Sequence, residues 1–405
     1  MPILIEGDGL PILSWCLDVE AQAMEQARNL ARHPACAFRV ALMPDCHFGF
    51  GMPIGAVIAC RDALIPNAVG VDIGCGMAAV KTDVRAESLG LRELRAVLDA
   101  VKLRIPVGEG RARAKAVHWE GFEAWDDGLS GSIRPPWHSA CARDLDERNL
   151  GTLGGGNHFI ELQKDGEGFL HLMLHSGSRN LGSRIATYFH RAAAELDGRL
   201  GLALPHPSLA YLPTESGEGR AYVRDMGFAM RYAEENRRRM MESAKEAIAE
   251  VLGEVAFGTT TAIHHNYASL EELEDGHSYW IHRKGATSAR AGEPGIIPGS
   301  MGTASYLVTG RGEKESFSSC SHGAGRRMGR NDACRRLDVA ECDAAMGAVV
   351  HDRWKTARGK GRKGGKLLDL SEAPPAYKDI DEVIEAELDL VIPLIRLQPL
   401  GVIKG

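Results

Sequence analysis

A carboxylate and a thiol stand three residues apart in the stretch NAVGVDIGCGMAAV, at Asp72 and Cys75, between glycines. An unpartnered buried Asp is costly, and a Cys in apolar surroundings ordinarily only fills space. Similar placements of a polar side chain beside glycines or at the end of an apolar run recur at His158, His175, His265 and His322. The motifs that accompany them run from residue 43 to residue 404, so a single site built from them needs almost the entire chain. No linker, low-complexity tract or internal repeat interrupts that span. This favours one domain over residues 1–405, of α+β class, with layered mixed β-sheets and helices outside.

Periodicity supports the mixed class. The runs FRVALM, AVIAC, AAVKT, HFIEL, FLHLMLHSG, YWIHRKG and SYLVTG read as strands, and they do not alternate regularly with helices. Helices are expected at about residues 19–32, 87–103, 183–198, 219–252, 332–350 and 379–392. In the fourth, Tyr222, Met226, Met230, Ala233, Met240, Ala244, Ile248 and Val251 recur at helical spacing, with Arg237, Arg238 and Arg239 partly on the far face. Its Met-rich stripe reads as core.

No apolar run is long enough to span a bilayer, and the segment MPILIEGDGLPILSWCLDVE is acidic and broken by Gly and Pro. A cytoplasmic, unprocessed protein is expected. Nine scattered cysteines agree with a reducing compartment, which leaves thiolates available as metal ligands. The net charge of −6 excludes coating of nucleic acid by bulk attraction. A local basic run, Arg353, Lys355, Arg358, Lys360, Arg362, Lys363 and Lys366, reads as a mobile surface loop, either merely solvated or phosphate-binding.

The chemistry points to metal. A set of one thiol, one carboxylate and several imidazoles (Asp72, Cys75, His158, His175, His265) is too mixed for a closed structural zinc site. It suits manganese, iron, cobalt or zinc with positions open to substrate. A Cys between two cations can bridge them, and two clamped metals suit in-line displacement at phosphorus. In SSCSHGAGRRMGR, His322 stands among small residues with Arg326, Arg327 and Arg330 close behind. Neighbouring cations favour a neutral imidazole, the form that attacks phosphate. LGTLGGGN is glycine-rich without the GxxxxGK[ST] pattern, so a Walker-type NTPase is not supported. A second glycine-punctuated segment, RKGATSARAGEPGIIPGSMGTASY, offers Lys284, Ser300 and Ser305 and backbone N–H groups to anions.

Taken together, MPDCHFGFGMPIG, NAVGVDIGCGM, LGTLGGGNHFIEL, LHSGSRNLG, HHNY, HRKGATSARAG, IIPGSMGTASYLV, SHGAGR, AYKDID and VIKG resemble, in order, the RtcB family of GTP-dependent RNA-splicing ligases. The resemblance implies a deep metal and nucleotide cleft. It also implies an enzyme that uses two manganese ions and GTP to join RNA 3′-phosphate or 2′,3′-cyclic phosphate ends to 5′-hydroxyl ends. By that resemblance His322 becomes guanylylated, Cys75 bridges the metals, and Asp72, His158, His175 and His265 complete them. Asn157, Asn266, Pro298, Gly299, Ser300, Met301, Ser305, Gly323, Ala324 and Gly325 fall near the nucleotide. Glu161 and Lys404 match positions that read the guanine edge, and Phe159 and Tyr377 those that pack on its faces. Asn157, Arg179 and Arg330 match positions that hold RNA. Partners would be RNA and GTP, with no membrane and room for a protein activator.

This chain also departs from the pattern. Cys46 and Phe48 replace residues that are often aliphatic or polar, Gly329 replaces a common serine, and the basic run near 353–366 looks like a local elaboration. The competing readings are a dinuclear-metal phosphohydrolase that opens cyclic phosphates without ligating, which needs neither His322 nor Lys404, and a non-catalytic RNA-end binding protein.

Overall fold

A computed structural model describes residues 1–128, 135, 137–352, 354–360 and 366–405. Two antiparallel-rich sheets organise the chain, which is α+β as expected. One has seven strands in the spatial order Thr261–His264, Gly76–Arg85, Phe169–Ser176, Phe159–Lys164, Val391–Lys404, Ser305–Gly310 and Pro294–Ile297. Its two edge strands touch each other, which makes it a nearly closed barrel. The other has six strands, in the order Ile3–Ile5, Ile12–Ser14, Cys36–His47, Ile54–Cys60, Ser278–Lys284 and Asn266–Glu272. Within this sheet, among the described residues, only the pairing of Ile12–Ser14 with Cys36–His47 is parallel.

Strand alternation decides which side chains reach the barrel interior. Ala78, Val80, Ile160, Leu162, Leu172 and Leu174 face outward, where helices Leu91–Arg104 and Gly217–Leu252 cover them. The alternate residues Met77, Ala79, Phe159 and Met173 face inward with Ile296, Met301, Leu397 and Val402. Helix Ala21–Ala31 covers one face of the six-stranded sheet through Ala23, Ala27 and Leu30, and helix Ile380–Ala386 covers the other through Ile380, Val383 and Ile384.

All seven strand runs read from the sequence are strands. The helix expected over 332–350 is two short helices, Arg330–Arg336 and Val339–Met346, because Leu337 is extended and the Asp338 carboxylate caps the second helix by accepting from Ala340 and Glu341 N–H. The helix expected over 379–392 stops at Ala386, and Val391 opens a 14-residue strand that pairs on both sides. Arg237 is buried rather than on a far face. Lys284 ends a strand, and its ammonium donates to the carbonyls of Phe50 and Asn67, so it is no loop anion binder. Part of the basic run forms a strand pair, Thr356–Lys360 with Lys366–Leu368. Arg353, Arg362 and Lys363, with the side chains of Arg358, Lys360 and Lys366, lie outside the described residues. No helix among the described residues is long and apolar enough to cross a membrane.

Candidate metal centre and nucleotide cavity

Register brings the polar residues to one end of the barrel. Phe159 and Met77 both pair with His175, and Gly76 pairs with His264. His158, Cys75 and His265 are therefore the residues at the ends of adjacent strands, beside His175. Gly76 has no room for a side chain, since a Cβ there would collide with the Ile263 carbonyl. Gly74 turns with φ +76° against the backbone of Met230 in the long helix, which places the Asp72–Cys75 turn on that helix.

The thiol is the pivot. Cys75 Sγ lies 3.4 Å from His158 Nε2 and 3.2 Å from His175 Nε2. His175 Nε2 is 3.2 Å from His265 Nε2, and His158 Nε2 is 3.2 Å from Asp72 Oδ2. Two donor sets result, Cys75–His175–His265 and Asp72–Cys75–His158, each with its ligand atoms within 4.8 Å of one another. The far nitrogens are fixed. His158 Nδ1 donates to the Leu153 carbonyl at 2.9 Å and His175 Nδ1 to the Asn157 carbonyl at 3.1 Å, which leaves each Nε2 a lone pair. Asp72 Oδ1 accepts from Ser178 N–H and Oγ–H, both at 3.0 Å, freeing Oδ2 for the cluster.

Electrostatics suit cations here. Burial, then neighbouring positive groups, pushes His175 and His265 well below the usual imidazole range, so both are neutral donors. Burial works against the Asp72 carboxylate, yet His158, when its Nε2 carries a proton, and Arg179 hold it well below the usual carboxylate range; metal on Nε2 would take the place of that proton. Burial and then Asp72 push the Cys75 thiol up, so a thiolate there requires positive charge beside it. The donor atoms thus fit divalent metal, with Cys75 common to both sets. Beneath it, buried Arg237 donates from Nη1 to the carbonyls of Gly74 at 2.8 Å and Ser176 at 3.0 Å. The Asn266 side chain donates to the Asp72 carbonyl and accepts from Gly285 N–H, so it braces the same turn and stands outside the cavity lining.

His322 follows strand Ser319–Ser321, and its ring centroid is 5.0 Å from that of His265. Its Nδ1 is 2.5 Å from Asp45 Oδ2, and its backbone N–H donates to the same oxygen at 3.1 Å. Asp45 is completely buried. Beside His322 opens a cavity of about 130 Å³ lined by Asn157, Phe159, Glu161, Pro298, Gly299, Ser300, Met301, Gly323, Ala324, Gly325, Arg330, Tyr377 and Lys404. Ser305 lies behind the lining, its hydroxyl accepting from Gly299 N–H and from Gln163 Nε2. Arg179 stands at the candidate metal ligands instead, 3.3 Å from His158 Nδ1. Burial pushes the Glu161 carboxyl up to about 8, against the pull of Gln163 and Lys404.

The model of the tRNA-splicing ligase RtcB family matches residues 26–405. The chain belongs to the RtcB family. It is 38% identical to RNA-splicing ligase RtcB of Escherichia coli K12 over 420 residues, covering 99% of both chains. It is 33% identical to RNA-splicing ligase RtcB of Mycobacterium tuberculosis, over 94% of this chain and 100% of that one. It is 32% identical to tRNA-splicing ligase RtcB of Archaeoglobus fulgidus, over 96% and 92%.

Several residues of this RtcB-family site escaped the sequence reading. Asp45 and His47 sit in MPDCHFGFGMPIG, where the acid and imidazole were the available signal. Glu372, in SEAPPAYKDID, gathers the cations of the cavity. It accepts from Arg326 Nη1 at 3.2 Å, Arg330 Nε at 3.0 Å and the Tyr377 hydroxyl, and lies 3.3 Å from Lys404 Nζ. Burial opposes its charge, but Lys404, Arg330 and Arg326 together carry it down to about 2. Arg237 and Gln163 gave no local signal, because each acts through contacts distant in sequence.

Proposed function

We propose that the chain is a GTP- and manganese-dependent RNA ligase, a single RtcB-like domain over residues 1–405. It would join RNA 3′-phosphate or 2′,3′-cyclic phosphate ends to 5′-hydroxyl ends in tRNA splicing or RNA repair. The observation that carries the reading is His322, held by a buried carboxylate and set against a thiol-centred pair of donor sets.

The residues divide the work. Asp72, Cys75, His158, His175 and His265 would hold two manganese ions, whose chemistry is to offset phosphate charge and activate oxygen nucleophiles. With Nδ1–H donating to Asp45, His322 keeps its Nε2 lone pair, as in the histidine of a catalytic triad. Nε2 attacks the α-phosphorus of GTP; the N–P bond forms as the bond to pyrophosphate breaks. An oxygen of the RNA 3′-phosphate then takes the GMP and releases the imidazole. The 5′-hydroxyl attacks the activated phosphorus, and GMP leaves with the bonding pair. A cyclic phosphate is first opened by water. In the cavity, Glu161 accepts from guanine N1 and N2 while Lys404 donates to O6, a pattern adenine does not match. Phe159 and Tyr377 pack on the base, residues Pro298 to Met301 and Gly323 to Gly325 line its phosphates and ribose, and Asn157 and Arg330, with Arg179 beside His158, hold RNA phosphate.

Intact mass after incubation with manganese and GTP tests the reading. An acid-labile GMP adduct on the wild type, absent from His322→Ala, is expected. An adduct that survives in His322→Ala, or none with any divalent metal, would replace the ligase by the phosphohydrolase reading.

A further inference from the structure

Strand Cys36–His47 turns back into strand Ile54–Cys60, with His47 paired to Ile54. Both of those residues line the cavity beside His322, so the connecting loop stands at the cavity mouth. That loop carries Phe48 and Phe50, the two most exposed of the chain's ten phenylalanines, at 50% and 64%. Single exposed apolar side chains are ordinary. These two differ in how they are held.

Three successive residues of the loop, Phe48, Gly49 and Phe50, are clamped through their backbones. Phe48 N–H donates to the Glu20 carboxylate. Gly49 is gripped twice by Gln26, whose Nε2 donates to its carbonyl at 2.6 Å and whose Oε1 accepts from its N–H at 3.2 Å. The Phe50 carbonyl accepts from the buried Lys284 ammonium at 2.5 Å, and the same ammonium reaches the Asn67 carbonyl at 3.0 Å. Fixing a loop this fully costs conformational entropy, and it leaves two aromatic faces with no ring or cation partner among the described residues.

We infer that Phe48 and Phe50 form a preorganised stacking platform for unpaired bases of the RNA strand whose end enters the His322 cavity. The inference rests on the ligase reading for its substrate. An aromatic pair on a backbone-held loop, whose flanking residues His47 and Ile54 share the cavity wall with Arg326, Arg330 and Lys404, combines base stacking with backbone attraction, the combination that binds single-stranded nucleic acid. Bases inside an A-form duplex have no free faces, so the platform selects single-stranded ends.

The probes are a ten-nucleotide unpaired RNA and a blunt hairpin, both ending in a 3′-phosphate. Ligation and fluorescence anisotropy are compared for wild type, Phe48→Leu/Phe50→Leu and Phe48→Tyr/Phe50→Tyr, with RNA-free guanylylation by GTP as reference. The leucine variant should raise KM and Kd for the unpaired RNA by roughly ten-fold. The tyrosine variant should restore both, and the hairpin should bind all three equally. Wild-type affinity in the leucine variant, equal loss on the hairpin, or failure of tyrosine to rescue would overturn the platform. A wild type that does not ligate would sink the ligase reading alone, because anisotropy still reads the platform.

Discussion

In the proposed guanine pocket, the single buried carboxyl of Glu161 would tie nucleotide choice to stability. It faces the barrel interior by strand alternation, and burial pushes it up to about 8, from an ordinary value of 4.5. Between those values the folded chain keeps a proton that the unfolded chain has released. The folded state therefore loses stability as pH rises through that window. Glu161→Gln removes this slope. In nucleotide-free protein the thermal midpoint of the variant should climb relative to wild type from pH 5 to pH 8, while preference for GTP over ATP falls. Parallel midpoints across that range in calorimetry would show that the carboxyl is not buried as described. Glu372 is the opposite case: with three cations around it, it stays charged and holds Lys404, Arg330 and Arg326 together at the cavity. The sequence makes Glu161 legible through a long motif. Glu372 is a lone acid in a turn, and only folding brings Arg326, Arg330 and Lys404 to it.

At the scale of elements, the long helix Gly217–Leu252 does more than cover the sheet. Its Met and Ala stripe buries as its spacing predicts, but Asn236 and Arg237 turn toward the metal centre. Asn236 accepts from Gly151 and Thr152 N–H, and Arg237 holds the carbonyls of Gly74 and Ser176, the chain neighbours of Cys75 and His175. Arg237→Met should strip the Ser176 carbonyl of its guanidinium donor and leave the Gly74 carbonyl only His264 Nδ1 at 3.0 Å, a loss of about 3 kcal/mol. Urea unfolding reads the loss, and manganese affinity should drop with it. A variant of wild-type stability would contradict the bracing role. Periodicity exposed the apolar stripe and the strands because burial sets them locally. It placed arginines outside because charge usually stays in water, and it misread 387–392 as helix because the pairing partners of Val391–Lys404 lie far away in sequence.

At the scale of the molecule, the chain closes on itself. Strand Val391–Lys404, the last element, lies in the middle of the seven-stranded sheet between Phe159–Lys164 and Ser305–Gly310. Lys404 pairs in register with Phe159, next to His158 of the candidate metal site, so this strand completes the cavity beside His322 and the core together. Residues of the metal centre come from 72 to 265 and those of the cavity reach 404, leaving no part of the site within one separable stretch. Such interleaving predicts that the described strands unfold as one cooperative unit. Calorimetry of the full chain should give a single transition with equal calorimetric and van't Hoff enthalpies. Manganese should move that whole transition upward, by mass action on the folded state alone. Two resolved transitions, with only one shifted by manganese, would mean that the metal-bearing strands and the C-terminal strand belong to different folding units, and a single-domain site would then be untenable.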